Sequence, residues 1–175
     1  MTQLHQIQLA YVPVEDRALL RISSTDHCEY VFWITRRFAR LLWPALTHSL
    51  LSANTVASQH EPGARSAVLA FQHEAALADS DFKTQYQSEK LQTPLGGDPI
   101  LLARIHCQRL AENQILLALH PERGQGLELQ LNDSLLHSLA KLLRDAVTTG
   151  GWDLDLAMGP ATPLDPDASE PRKGH

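Results

Sequence analysis

The feature that most restricts the fold is a repeated order of elements: three short strands and then an amphipathic helix, first from Ile7 and again from Leu101. A constant offset that places Leu20 on Leu117 brings apolar residues onto apolar residues. The further matches are Ile22 with Leu119, Tyr30 with Leu127, Phe32 with Leu129, Ile34 with Leu131, Phe38 with Leu135, Leu42 with Leu139 and Leu46 with Leu143. Periodic apolar residues mark the buried faces of strands and helices. The sequence therefore predicts an α+β fold of two related strand-strand-strand-helix units, pseudo-duplicated, with antiparallel sheet or sheets packed against helices.

Alternating apolar residues locate the strands of both units. The predicted strands are 6–12, a segment around Ala18, Leu20 and Ile22, and 29–34 in the first unit, and 101–108, 114–120 and 127–131 in the second. The strand at 29–34 is apolar on both faces, with Val31 and Trp33 opposite Phe32. This pattern indicates either burial on both sides or an apolar face that awaits a partner.

A helix is predicted after the third strand of each unit. Thr35 is expected to cap the first helix, and Asn132 or Asp133 the second, which should end at Gly150-Gly151. Pro44 is expected to kink or split the first helix, because proline lacks an N–H and crowds the carbonyl four residues earlier.

The remaining segments complete a four-part organisation within one domain. The predicted parts are a first unit at 1–59, a connector at 60–99, a second unit at 100–152 and a flexible tail at 153–175. In the connector, Ala64–Ala78 predicts a helix and Phe82–Leu91 an additional polar edge strand. Prolines with Gly, Asp and Ser from Met158 onward are typical of a disordered tail.

Composition places the chain among globular proteins. With 175 residues, 43% of them hydrophobic, it is large enough to bury a core, and its net charge of −5 counts against broad binding to phosphate backbones. No apolar run approaches the ~20 residues that cross a bilayer. Only two cysteines, Cys28 and Cys107, and no secretory leader favour a soluble protein of the reducing cytosol.

No motif of catalysis is present. The chain lacks G-x-S-x-G, Walker, G-x-G-x-x-G and H-E-x-x-H patterns. The pairs His27-Cys28 and His106-Cys107 invite a metal site, but neighbouring residues of a strand project to opposite faces and cannot converge on one ion. We therefore predict no catalytic residue, no metal and no cofactor, while an enzyme assembled from distant residues stays open as a third hypothesis.

The candidate binding residues lie in the first unit. Arg36, Arg37 and Arg40, joined by Arg21, concentrate guanidinium groups that suit a phosphate or an acidic partner, although a solvated helix face is the commoner role of such a cluster. Trp33 is either an exposed anchor of an interface or a core residue. Trp43 is expected in the core.

Two function hypotheses follow. The first is a non-catalytic protein-interaction module, a small subunit or adaptor of a bacterial-type cytosolic complex, which binds another protein or its own copy as a homodimer. In the second, the repeated order resembles in topology the PUR-repeat and Whirly-type proteins, whose sheets carry single-stranded nucleic acid on aromatic side chains; that resemblance implies contacts from Trp33 and the arginines. Trp33 aligns with Gln130 of the second unit. Function is therefore expected in the residues of the first unit that differ from those at matching positions of the second.

Overall fold

The computed structural model describes residues 1–158. The elements of this part of the chain are β1 (Thr2–Val12), β2 (Arg17–Ser24), β3 (Glu29–Ile34), α1 (Arg36–Leu51), α2 (Asn54–Ala57), α3 (Pro62–Ala78), β4 (Ile100–Leu101), β5 (Arg104–Ala111), β6 (Gln114–His120), β7 (Leu127–Leu131) and α4 (Asp133–Gly150). The predicted α+β class is confirmed. Each predicted set of three strands is followed by its helix.

The strands form one sheet in the order β4-β3-β2-β1-β7-β6-β5. Neighbours within each half are antiparallel. In contrast, β1 pairs with β7 in parallel at Thr2 and Gln3, and β3 pairs with β4 in parallel at Phe32 and Trp33. The sheet is therefore mixed, and the prediction of antiparallel pairing is wrong where the halves meet. These strands are far apart in the chain, so no hairpin constrains their direction.

The two ends of this strand order are joined by a short stretch of chain. Only Leu102 and Ala103 separate β4 from β5. The N–H of Leu102 donates to the carbonyl of Trp33 on β3 at 3.0 Å, whereas the N–H of Ala103 donates to the carbonyl of His120 on β6 at 2.9 Å. The sheet therefore closes on itself, and the single strand predicted at 101–108 is divided because its two parts pair with different strands.

Helices α1 and α4 lie where the two halves of the sheet diverge. Helix α4 packs against β1 of the first half, and α1 packs against β5 of the second. Their apolar faces and the inner faces of the strands form one shared core, which includes Leu20, Phe32, Leu42, Trp43, Leu117, Leu129 and Leu139. The prediction that Trp43 lies in the core is confirmed.

The predicted helix ends are confirmed, and of the kink or split predicted at Pro44 the split is wrong. The side chain of Thr35 accepts from the N–H of Phe38, that of Asn132 accepts from the N–H of Leu135, and Gly151 ends α4 in the left-handed conformation with φ 59°. Helix α1 runs through Pro44 without interruption. Both Pro44 and the residue four positions earlier are exposed, so water can satisfy the carbonyl that the proline leaves unbonded.

The connector contains the predicted helix but not the predicted strand. The helix expected at Ala64–Ala78 is α3, and the short helix α2 forms before the connector, in the predicted first unit. Residues 82–91 are not a strand. They cross the sheet instead of running along its edge, with one bridge between Gln92 and Cys28 just beyond them. Residues 82–91 therefore form no strand pairing of their own with the sheet.

The start of the segment predicted as a flexible tail packs against the helices. Leu154, Leu156 and Met158 contact the core. The indole N–H of Trp43 donates to the carbonyl of Ala157 at 3.3 Å. Apolar side chains at alternate positions explain this attachment. The prediction of a flexible segment from residue 153 relied on the proline-rich composition after Met158 and is wrong for 153–158. The rest of the predicted tail, 159–175, lies outside the described residues.

Candidate interaction surface

The outer face of the sheet is the side turned away from the shared core. Along β3, Phe32 and Ile34 are fully buried under the helices, whereas Val31 and Trp33 point to the other side and are only partly buried. Neither Val31 nor Trp33 belongs to the core or packs against it. Of the two expectations for this strand, the structure favours an apolar outer face over burial on both sides.

Four apolar residues stand side by side on this face, and we call them the outer apolar row. Leu19 on β2 pairs with Ala10 on β1 and with Trp33 on β3, and Trp33 pairs with Leu101 on β4. Ala10 and Leu101 are exposed, Leu101 to 46%, and the two central residues are partly exposed. A continuous apolar strip on an uncovered sheet face is unusual for a surface that only meets water.

The corresponding row on the other half of the sheet is polar. Gln108 on β5 pairs with Leu116 on β6, Leu116 with Gln130 on β7, and Gln130 with Gln3 on β1. The two rows correspond: Leu116 on β6 pairs with Gln130 on β7 just as Leu19 on β2 pairs with Trp33 on β3. Three of its four members are glutamines, and Gln130 stands where Trp33 stands. The apolar character is therefore a property of one half and not a requirement of the fold.

A segment at 79–92, which we call the crossing segment, covers another part of the outer face. It leaves α3, and its Gln87 N–H donates to the side chain of Gln6 on β1 at 3.1 Å. The ring of Tyr86 then lies under the guanidinium of Arg21, 4.8 Å from its centre. Beneath this cover Ser23 and Glu29 are almost fully buried, 1% and 8% exposed. Leu19 of the outer apolar row lies two positions before Arg21 on β2.

Arg21 is engaged within this covered region. Its Nε and Nη2 donate to Oε1 of Glu29 at 3.1 and 2.8 Å. Burial and the nearby Glu29 carboxylate raise the pKa of Tyr86 above its ordinary value. The Arg21 guanidinium therefore both pairs with Glu29 and stacks on the ring of Tyr86. These two contacts anchor the crossing segment to β2 and β3. Arg21 therefore flanks the outer apolar row with its charge already neutralised.

Arg36, Arg37 and Arg40 lie on the exposed side of α1. Arg36 is close enough to Asp16, in the β1–β2 turn, to contribute to the low pKa of that carboxyl, which hydrogen bonds from Tyr11 and Trp152 lower more strongly. Among residues 1–158, none of the three arginines forms an ion pair within 4.0 Å. Arg36 and Arg37 begin α1 just after the end of β3 at which Trp33 lies.

Of the two cysteine–histidine pairs, His106-Cys107 has the geometry expected of strand neighbours, whereas His27 and Cys28 lie in the turn between β2 and β3, where His27 has φ 57°. His106 is exposed on the outer face, and Cys107 is half-buried on the inner face with its Sγ 3.1 Å from Oγ of Ser49. Burial raises the pKa of the Cys107 thiol, which lowers the fraction of nucleophilic thiolate. Within the described residues, no three His, Cys, Asp or Glu side chains are grouped to hold a metal ion.

The sequence signalled part of this surface. Leu19 stands between Arg17 and Arg21 in a strand whose other face is apolar, and that alternation could have marked it as an outward leucine. Leu101 carried no such signal, because it depends on β4 pairing with β3. Two features were missed altogether: a contact between the buried His73 and His137, and the bonds of Arg109 to both helices beside it.

Searches of protein-family models, of curated proteins and of solved structures found no match to this chain. No helix within residues 1–158 is both long and apolar enough to cross a membrane. Any statement of function therefore depends on the surface itself.

Proposed function

We propose that this protein is a non-catalytic interaction module whose outer apolar row binds another protein. The observation that carries the proposal is the contrast between the two corresponding rows: Trp33, Leu19 and Leu101 on one half, glutamines on the other. A sheet of this design tolerates polar residues at those positions. The apolar row is therefore better explained by recognition than by folding.

The chemistry of the row suits a protein partner. Tryptophan is enriched among the residues that dominate binding energy, especially where smaller apolar side chains surround it. Trp33 has Leu19 on one side and Leu101 on the other. The exposed Arg36 and Arg37 lie beyond the end of β3 and supply polar contacts for the rim of such an interface. The partner is either a second copy of this chain, giving a homodimer, or another subunit of a cytosolic complex.

Single-stranded nucleic acid is the second candidate ligand. It is favoured by one observation: an outward tryptophan lies on a sheet face whose neighbouring positions on β2 are Arg17 and Arg21. Bases stack on such aromatic rings while arginines meet the phosphates. Two facts weaken this candidate, the net charge of −5 and the pairing of Arg21 with Glu29.

Replacing Trp33 by alanine should weaken partner binding by about 30-fold or more, the effect of losing a dominant residue worth about 2 kcal/mol. Self-association is measured by sedimentation of the purified protein over a wide concentration range. Binding of other proteins is measured by capture on immobilised wild-type and Trp33→Ala protein, followed by titration of each captured protein in pure form.

The matched control is Leu110→Ala, which removes another exposed leucine, 47% exposed, from a β-strand outside the row. This control should bind as wild type does. The proposal fails if Trp33→Ala retains full binding, or if the wild-type chain neither self-associates nor binds any protein selectively. Single-stranded oligonucleotides at ~50 mM salt form a separate arm; binding there that weakens steeply with salt and needs Trp33 would favour the second candidate.

The same contrast bears on the origin of the fold. We propose that the two halves are related by duplication, because their helices pack crosswise and their parallel contacts occupy matching places. In that case the first half acquired the binding row after the two copies diverged.

Cytosolic location belongs to the proposed function, in keeping with the two free cysteines, Cys28 and Cys107.

A further inference from the structure

Two buried histidines from different helices touch each other. Nδ1 of His73 on α3 lies 3.0 Å from Nδ1 of His137 on α4. The two residues are only 7% and 3% exposed. One imidazole must donate its proton and the other must accept it, so at least one of the two nitrogens has to be unprotonated. Two imidazolium rings cannot make this contact, because both nitrogens would then carry hydrogens that point at each other.

Helix α3 is held on the rest of the molecule by few side chains, and His73 is one of them. Of its 17 residues only Leu69 and His73 are buried, and Val68 packs partly against the core. The next polar contact to α4 is a hydrogen bond between the hydroxyls of Ser80 and Ser138 at 2.9 Å. Phe71, in contrast, is 74% exposed. The interface between α3 and α4 thus has little apolar area to hold it if the histidine contact is lost.

The surroundings of the pair oppose its protonation. Burial, and then the Arg144 guanidinium, lower the pKa of His73, with a smaller effect from Lys141; Glu74 acts in the other direction. Burial, and then His73 itself, lower the pKa of His137 to about 4, against a weaker opposite effect of Asp133. Arg144 and Lys141 lie on α4. The carboxylates with the opposite effect are Glu74 on α3 and Asp133 at the start of α4.

We propose that the contact between His73 and His137 is an acid-sensitive attachment, which holds α3 on α4 near neutral pH and releases it on acidification while the sheet stays folded. Release would also loosen the start of the crossing segment, between the end of α3 and its anchor at Tyr86. That segment walls a cleft of about 840 Å³ beside β1 and α4. Acid would therefore open this side of the molecule.

The sign follows from proton binding. On release both rings leave the buried contact and return towards the ordinary pKa near 6.5, whereas in the attached state burial lowers both pKa values, that of His137 to about 4. The attached state is therefore fully favoured above about pH 6.5, and its advantage is lost as the pH falls towards 4. Within that window the ratio of released to attached α3 should rise by up to about tenfold per pH unit for each extra proton that release binds.

Hydrogen exchange on the wild-type protein tests this without any substitution. Amide exchange of α3, corrected for the intrinsic pH dependence of exchange, should accelerate between pH 6.5 and 4.5 by several-fold to about tenfold per unit. Amides of β2 serve as the internal reference and should keep their protection. Unchanged α3 protection over this range would refute the proposal, and so would equal loss of protection in α3 and β2.

The substituted protein His73→Asn/His137→Asn removes the titration and keeps a polar atom near each Nδ1. Its α3 exchange should lose the acid dependence. His60→Asn, which replaces an exposed histidine just before α3, is the matched control and should behave as wild type. If the double variant kept the full acid response, the histidine pair would not be its cause.

Discussion

Replacing Phe32 by alanine is expected to lower the free energy of unfolding by about 3 to 5 kcal/mol. Its ring is completely buried in the shared core, where β3 pairs with both β2 and β4. Truncation leaves a cavity that the closed sheet cannot easily fill, since Leu20 and Ile100 on either side are fixed by strand pairing. Urea unfolding followed by far-UV circular dichroism measures the loss.

The neighbouring Trp33→Ala is the matched control for this prediction. The two aromatic residues are adjacent in β3 and project to opposite faces. Trp33 is outside the core, so its loss should cost about 1 kcal/mol, within the ordinary range for a partly exposed position. A cost equal to that of Phe32→Ala would place Trp33 among the residues that hold the fold, and the outer apolar row would lose its status as a binding surface.

Arg109→Met is expected to destabilise the fold by about 2 to 3 kcal/mol. The Arg109 side chain, 14% exposed, donates to both carboxylate oxygens of Asp133 at the start of α4. It also donates to the carbonyl of Ser49 at 2.8 Å and the hydroxyl of Ser52 at 3.2 Å, at the end of α1. Methionine keeps the apolar stem and leaves the Asp133 charge and the Ser49 carbonyl without this donor.

The expected loss of stability for Arg109→Met is smaller than for breaking a fully buried ion pair. Asp133 is 30% exposed, so water can partly replace the lost partner. Arg104→Met on the same strand is the control: Arg104 is exposed, and within residues 1–158 its side chain donates only to the carbonyl of Pro121. Its loss should cost about 0.5 kcal/mol. Thermal unfolding of the two variants compares them directly, and equal effects would show that Arg109 does not join the helices to β5.

Much of the local structure could be predicted from the residues themselves. Alternation gave β6 and β7 their bounds, Thr35 and Asn132 were recognised as caps by their side-chain chemistry, and Gly151 marked the end of α4. These features depend on contacts within one element or between neighbours in the chain. The split predicted at Pro44 is wrong because the rule for proline considers only the lost hydrogen bond, whereas water can bond the freed carbonyl on the exposed side of α1.

The candidate site could be predicted only in part. Trp33 was identified from its strand, because period-two alternation separates it from Phe32 whatever the strand later pairs with. The arginines were identified by charge, but charge alone could not show that Arg21 is paired with Glu29 while Arg36 and its neighbours are exposed. Pairing of that kind depends on which strand lies next to which.

The α+β class, the two successive sets of strands and helix, and the apolar residues on both faces of β3 could be predicted from the residues alone. Only the packed molecule shows that the sheet closes through Leu102 and Ala103, that Leu101 completes the outer apolar row, and that His73 meets His137. The difference lies in the range of the interactions. Periodicity and capping are set by residues within a few positions, whereas strand order and helix contacts arise from surfaces brought together only when the whole core forms.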